Sequence, residues 1–65
     1  MTFAQKQELK LIIQRLSKMD YNGNRIKQIL VSKNLYFNFT SPMIFVKKNL
    51  GYKVLEYVDW LEETK

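Results

Sequence analysis

Apolar residues recur at helical spacing from the start of this chain. Leu9, Ile12, Ile13 and Leu16 fall at i, i+3, i+4 and i+7, the stripe that one face of an α-helix buries. Thr2 with Gln5 three residues later has the form of a capping box, in which each side chain meets a backbone N–H that the first turn leaves unpaired. These signals predict a helix over residues 2–19. Lys6, Lys10, Gln14 and Lys18 repeat every four residues on another face, as a solvated surface or as a row able to follow phosphates. Asp20-Tyr21-Asn22-Gly23-Asn24 interrupts the pattern with turn formers, and Asn-Gly permits positive φ. Asn22 or Asn24 then caps a second helix over 23–33, whose core face is Ile26, Ile29 and Leu30.

Beyond it the pattern changes. Leu35-Tyr36-Phe37-Asn38-Phe39 alternates in part, which fits a short extended segment with Leu35, Phe37 and Phe39 on one side, closing the core from below. A third helix is predicted over 41–50. Ser41 stands at its N-cap, Pro42 at its first position, and Gly51 where a glycine ends a helix. Met43, Val46 and Leu50 form its inward stripe, and Ile44 and Phe45 fall off that stripe. Val54, Tyr57, Val58 and Leu61 complete a fourth helical set over 53–63, with Trp60 to its side. The fold class that results is mainly α: one domain over 1–65, with three or four helices and a helix-turn-helix-like unit. Its expected core is Leu9, Ile12, Ile13, Leu16, Ile26, Ile29, Leu30, Val46, Leu50, Val54, Val58 and Leu61.

Composition narrows the chemistry. The 65 residues include no cysteine and no histidine, so disulfides, thiolate metal sites and the commonest general base are all absent. Glu56, Asp59 and Glu63 share a face of the fourth helix, but with no activated nucleophile or phosphate loop beside them they read as a charged surface. No enzyme, metal or cofactor is expected. No apolar run reaches the roughly 18 residues of a membrane span, and a secretory leader pattern is missing at Met1, so a cytoplasmic protein is expected. The net charge of +5 is unevenly spread. Residues 1–53 carry ten Lys/Arg against Glu8 and Asp20, a local +8, and residues 54–65 carry Glu56, Asp59, Glu62 and Glu63 against Lys65, a local −3. A basic body suits a polyanionic partner.

The run RIKQILVSKNLYFNFTSPMIFVKKNLGYK, residues 25–53, resembles the homeodomain-like helix-turn-helix of transposases and small repressors. Such units pair a bracing helix with a Ser/Thr-led recognition helix ending in a KKLGY-like sequence. Ile26 and Leu30 match the first-helix core, Ser41 the cap of the recognition helix, and Leu50-Gly51-Tyr52 its end. The connection is longer than the roughly three or four residues such turns use, and Phe45 stands where the family carries a polar or basic reader. The resemblance implies a regulator of double-stranded DNA, with Arg25, Ser41, Lys47, Lys48 and Asn49 as contacts to phosphate or base edges. The competing expectation is a protein-interaction module, similar to small phage or mobile-element proteins that capture a host factor. Ile44, Phe45, Tyr57 and Trp60 would then form the interface, with a protein partner or with a second copy.

Overall fold

The computed structural model describes residues 1–64, so Lys65, counted in the acidic balance above, lies outside the described residues. These form four α-helices: α1 (Phe3–Lys18), α2 (Gly23–Val31), α3 (Pro42–Lys47) and α4 (Gly51–Thr64). α4 packs along both α1 and α3, and α2 closes the other side of α1 and α3. Ile12, Leu16, Met19, Ile26, Leu30, Phe37, Val46, Val54 and Val58 make the buried core.

The capping box at Thr2 forms: the Gln5 N–H donates to Thr2 Oγ1 at 3.2 Å and the Thr2 N–H to Gln5 Oε1 at 2.9 Å. The expected stripe is narrower than its spacing suggested. Ile12 and Leu16 are fully enclosed and Leu9 packs at their edge, but Ile13 is 39% exposed. It lies about 100° round the helix from Ile12 and points off the seam. Met19, just past the helix, takes a core position in its stead. α1 ends with Asp20 in the left-handed region at φ 67°, so the positive φ falls there and not at Gly23, which opens α2. Asn22 caps α2 by accepting from the Arg25 N–H at 2.8 Å. The helix stops at Val31, two residues short of the prediction, where Ser32 turns extended.

The segment expected to be extended is instead one turn of 3-10 helix, Leu35–Phe37, inside a loop clamped by an antiparallel bridge between Asn34 and Thr40. The Asn34 side chain accepts from the Tyr36 N–H at 2.9 Å and the Phe39 N–H donates to the Asn34 carbonyl at 2.9 Å. Tight winding scatters the three alternating apolar side chains. Only Phe37 enters the core, while Leu35 is 72% and Phe39 66% exposed. Asn38 and Phe39 are both left-handed, at φ 55° and 64°.

α3 begins at Pro42 as expected but spans only six residues. Its end is set by Asn49, left-handed at φ 62°, and not by Gly51. The Asn49 N–H reaches the Val46 carbonyl at 3.1 Å and the Leu50 N–H the Phe45 carbonyl at 2.8 Å, the paired bonds of a Schellman stop. Leu50 therefore lies in the connection, half-buried, and not on a helical core stripe. Gly51 opens α4, and the Glu8 carboxylate of α1 lies close against it, 2.7 Å from where a Cβ would stand. A carboxylate beside the first turn of α4 also complements the positive end of that helix.

Candidate nucleic-acid interface

Two kinds of polar side chain separate in this fold. The first kind joins elements. Arg15 of α1 donates from one guanidinium nitrogen to Asp59 at 2.6 Å and to Glu62 at 2.8 Å, both on α4. These hydrogen bonds, Asp59's first, raise the Arg15 pKa above its ordinary value. Gln5, buried, donates through Nε2 to the Lys47 carbonyl at 3.1 Å and to Asn49 Oδ1 at 2.8 Å, fastening α1 to the end of α3.

The second kind is unpaired. Lys6, Lys10, Lys18, Arg25, Lys27, Lys33, Lys47, Lys48 and Lys53 are exposed, and none enters an ion pair among the described residues. Four of the six carboxylates are on α4, and two of those four already serve Arg15. No group of three acidic side chains close enough to hold a metal exists among the described residues, nor is any helix there long and apolar enough to cross a membrane.

The five residues expected to touch nucleic acid are not equivalent. Lys47 and Lys48 are exposed at the end of α3. Ser41 is only 7% exposed and its hydroxyl makes no capping bond, so a phosphate has no access to it in this conformation. Asn49 is exposed and accepts from Gln5 through Oδ1, which leaves only its NH₂ group for a further contact. Arg25 is exposed on the first turn of α2, but it belongs to a different surface from Lys47 and Lys48. It lines a groove of about 200 Å³ with Gln28, Ile29, Ser32, Lys33, Asn34 and Tyr57.

The expected interface residues also divide. Ile44 remains 41% exposed, whereas Phe45 is half-buried against Phe37, ring centroids 4.7 Å apart. Tyr57 packs between Phe37 at 5.2 Å and Tyr36 at 4.9 Å. Trp60 stacks beside Tyr57 at 5.9 Å and near Tyr36 at 5.7 Å, and stays 46% exposed. Gln28, Lys33, Asn34 and Tyr36 join this surface without having been expected there. The periodicity carried no signal for these four; it was legible only for their neighbours, since Arg25, Ile29 and Ser32 make a helical i, i+4, i+7 row, as do Lys53, Tyr57 and Trp60. No family model matches the chain, and comparison with curated proteins and with solved structures finds no match.

Proposed function

We propose that this protein is a small, non-enzymatic nucleic-acid-binding regulator that holds its target mainly through phosphate contacts. The observation behind this reading is the set of nine exposed cations without carboxylate partners, on a domain whose acids gather on α4. A binding surface of that kind acts by releasing counterions from the polyanion. Base reading by α3 is a minor contribution. Six residues rise only about 9 Å, and the exposed side of α3 carries Ile44, Lys47 and Lys48. The 32–41 connection also separates α2 and α3 more widely than a compact helix-turn-helix does.

Duplex DNA is the target the resemblance to transposase and repressor domains favours. The test is the salt dependence of binding to a labelled duplex. Lys47→Gln combined with Lys48→Gln should weaken binding and flatten the log–log slope by about 0.9 for each phosphate that the two lysines neutralise. Absence of binding at low salt, for duplex and single strand alike, would remove the reading.

A second reading, a protein partner, is favoured by Leu35 and Phe39, two large side chains presented on a bridged, left-handed loop instead of packed inside. Phe39→Ser should abolish an association seen by sedimentation and leave the helical circular dichroism intact. Unchanged monomeric sedimentation in both proteins would argue against a second copy as that partner.

A further inference from the structure

We propose that the groove between α2 and α4 binds a single, unpaired nucleic-acid strand, with bases on Tyr36 and Trp60 and phosphates on Arg25, Lys33 and Lys53. This deepens the nucleic-acid reading and rests on it.

The groove is lined by one face of α2, the residues that follow it and Tyr57 of α4. α2 supplies Arg25 and Ile29, its C-terminal extension supplies Ser32 and Lys33, and the bridged loop supplies Asn34. α4 supplies Tyr57, which shares a helix face with Lys53 one turn before it and Trp60 one turn after. Lys53 and Trp60 are thus separated by about 10 Å along the axis. No carboxylate lines the groove. Each of its polar groups can donate: a guanidinium, an ammonium, two side-chain amides and the hydroxyls of Ser32 and Tyr57. The Asn34 oxygen is already held by the Tyr36 N–H, which leaves its NH₂ group as the free end.

The aromatic side has the geometry of a platform. Tyr57 and Trp60 are nearly parallel, at 22°, and Tyr36 lies against both. Phe37, buried, fixes Tyr36 and Tyr57 from below, at 5.0 and 5.2 Å. The rings are therefore held in place before any ligand arrives, which lowers the ordering cost of binding. Tyr36 and Trp60 remain about half exposed, so ring surface is still open.

A duplex does not use such a site. Its base faces are covered by neighbouring pairs and are not available to stack on Tyr36 and Trp60. Unpaired bases stack on aromatic rings with little regard to sequence, and a track of cations follows the backbone. Glu56 stands one turn before Trp60 on α4 and is exposed, so it opposes a phosphate at that edge. This predicts that the strand runs on the Arg25–Lys33 side, and that Glu56→Gln tightens binding.

Trp60 is the sole tryptophan, which makes the proposal directly readable. The intact protein is titrated with an oligothymidylate, the same length of duplex, inorganic polyphosphate and polyglutamate, following Trp60 fluorescence and, with labelled oligonucleotide, anisotropy. Oligothymidylate should quench Trp60 and bind more tightly than duplex or polyphosphate. Tyr36→Ala and Trp60→Ala should each weaken it by about tenfold, Trp60→Phe should restore most of the loss, and Arg25→Gln with Lys33→Gln should flatten its salt slope. Because Arg25 and Lys33 are exposed, that pair keeps the test valid if Trp60→Ala unfolds. Nucleic-acid binding without quenching, removed by changes at Lys47 and Lys48 alone, would overturn the groove and leave the general reading standing. Quenching by polyglutamate as strong as by oligothymidylate would assign the groove to an acidic peptide instead. No binding of either nucleic acid at low salt would end both.

Discussion

The two flanks of α4 handle polar groups in opposite ways. Towards α1, Arg15 is matched to Asp59 and Glu62, and near the far end of α1 Gln5 uses its amide on α3 while Glu8 lies against Gly51. Towards α2, Arg25, Gln28 and Lys33 line a groove with Tyr57, and neither cation enters an ion pair among the described residues. The first flank is complete within the chain. The second leaves its cations to solvent. Charge count alone would not separate them, since an arginine faces each side of the same helix.

The comparison can be broken most easily on the packed flank. Leu16→Ala, which empties a site only 1% exposed, should cost about 2–5 kcal/mol and unfold much of the population at moderate temperature. Ile13→Ala, one face over, should cost no more than about 1 kcal/mol, because much of its surface is never removed from water. Thermal melts of the two variants side by side would contradict the packing if the costs were equal.

Gln5→Ala comes next. It leaves the Lys47 carbonyl and Asn49 Oδ1 without their partner and loosens the first turn of α1, for about 1–3 kcal/mol. A denaturant midpoint that did not move would show that water replaces the amide freely. Asn49→Ala should cost about 1–2 kcal/mol by forcing a side chain with no local hydrogen bond into the left-handed region. Asn49→Gly should cost less than Asn49→Ala, since it relieves the backbone and gives up only the hydrogen bond from Gln5.

The smallest stability effect expected is Arg15→Gln, about 1 kcal/mol or less, because both of its carboxylate partners are substantially exposed. The pKa of Arg15 is raised in the folded protein, so its contribution is fully present across the neutral range and is lost only as the medium becomes strongly alkaline. A melting point that fell between neutral and mildly alkaline pH would therefore implicate a group other than Arg15.

Helix positions were legible because caps and stripes are local. Thr2, Asn22 and Pro42 each start a helix for a reason visible in the neighbouring residues. Gly51 was misleading because the absence of a Cβ serves equally to stop one helix or to let Glu8 approach another, and only the tertiary fold decides between them. The partial alternation of residues 35–39 suggested an extended segment, but the Asn34–Thr40 bridge closes the loop into a turn that no periodicity encodes. Of the candidate site, Arg25, Tyr57 and Trp60 were legible as residue types. Their meeting with Tyr36 and Lys33 was not, because it depends on how α2, the loop and α4 come together.

Arg15 and Arg25 offer the most direct measurement, since Arg15→Gln and Arg25→Gln remove the same charge from opposite flanks of α4. Melting temperature and oligothymidylate affinity are measured for both across a range of salt concentrations. Arg15→Gln should lower the melting temperature slightly and leave the salt slope unchanged. Arg25→Gln should leave the melting temperature unchanged and reduce the slope by about 0.7, the value of one single-strand phosphate contact. Equal losses of affinity in the two variants, with equal slopes, would mean that net charge alone governs binding and would contradict a site built on the α2 side.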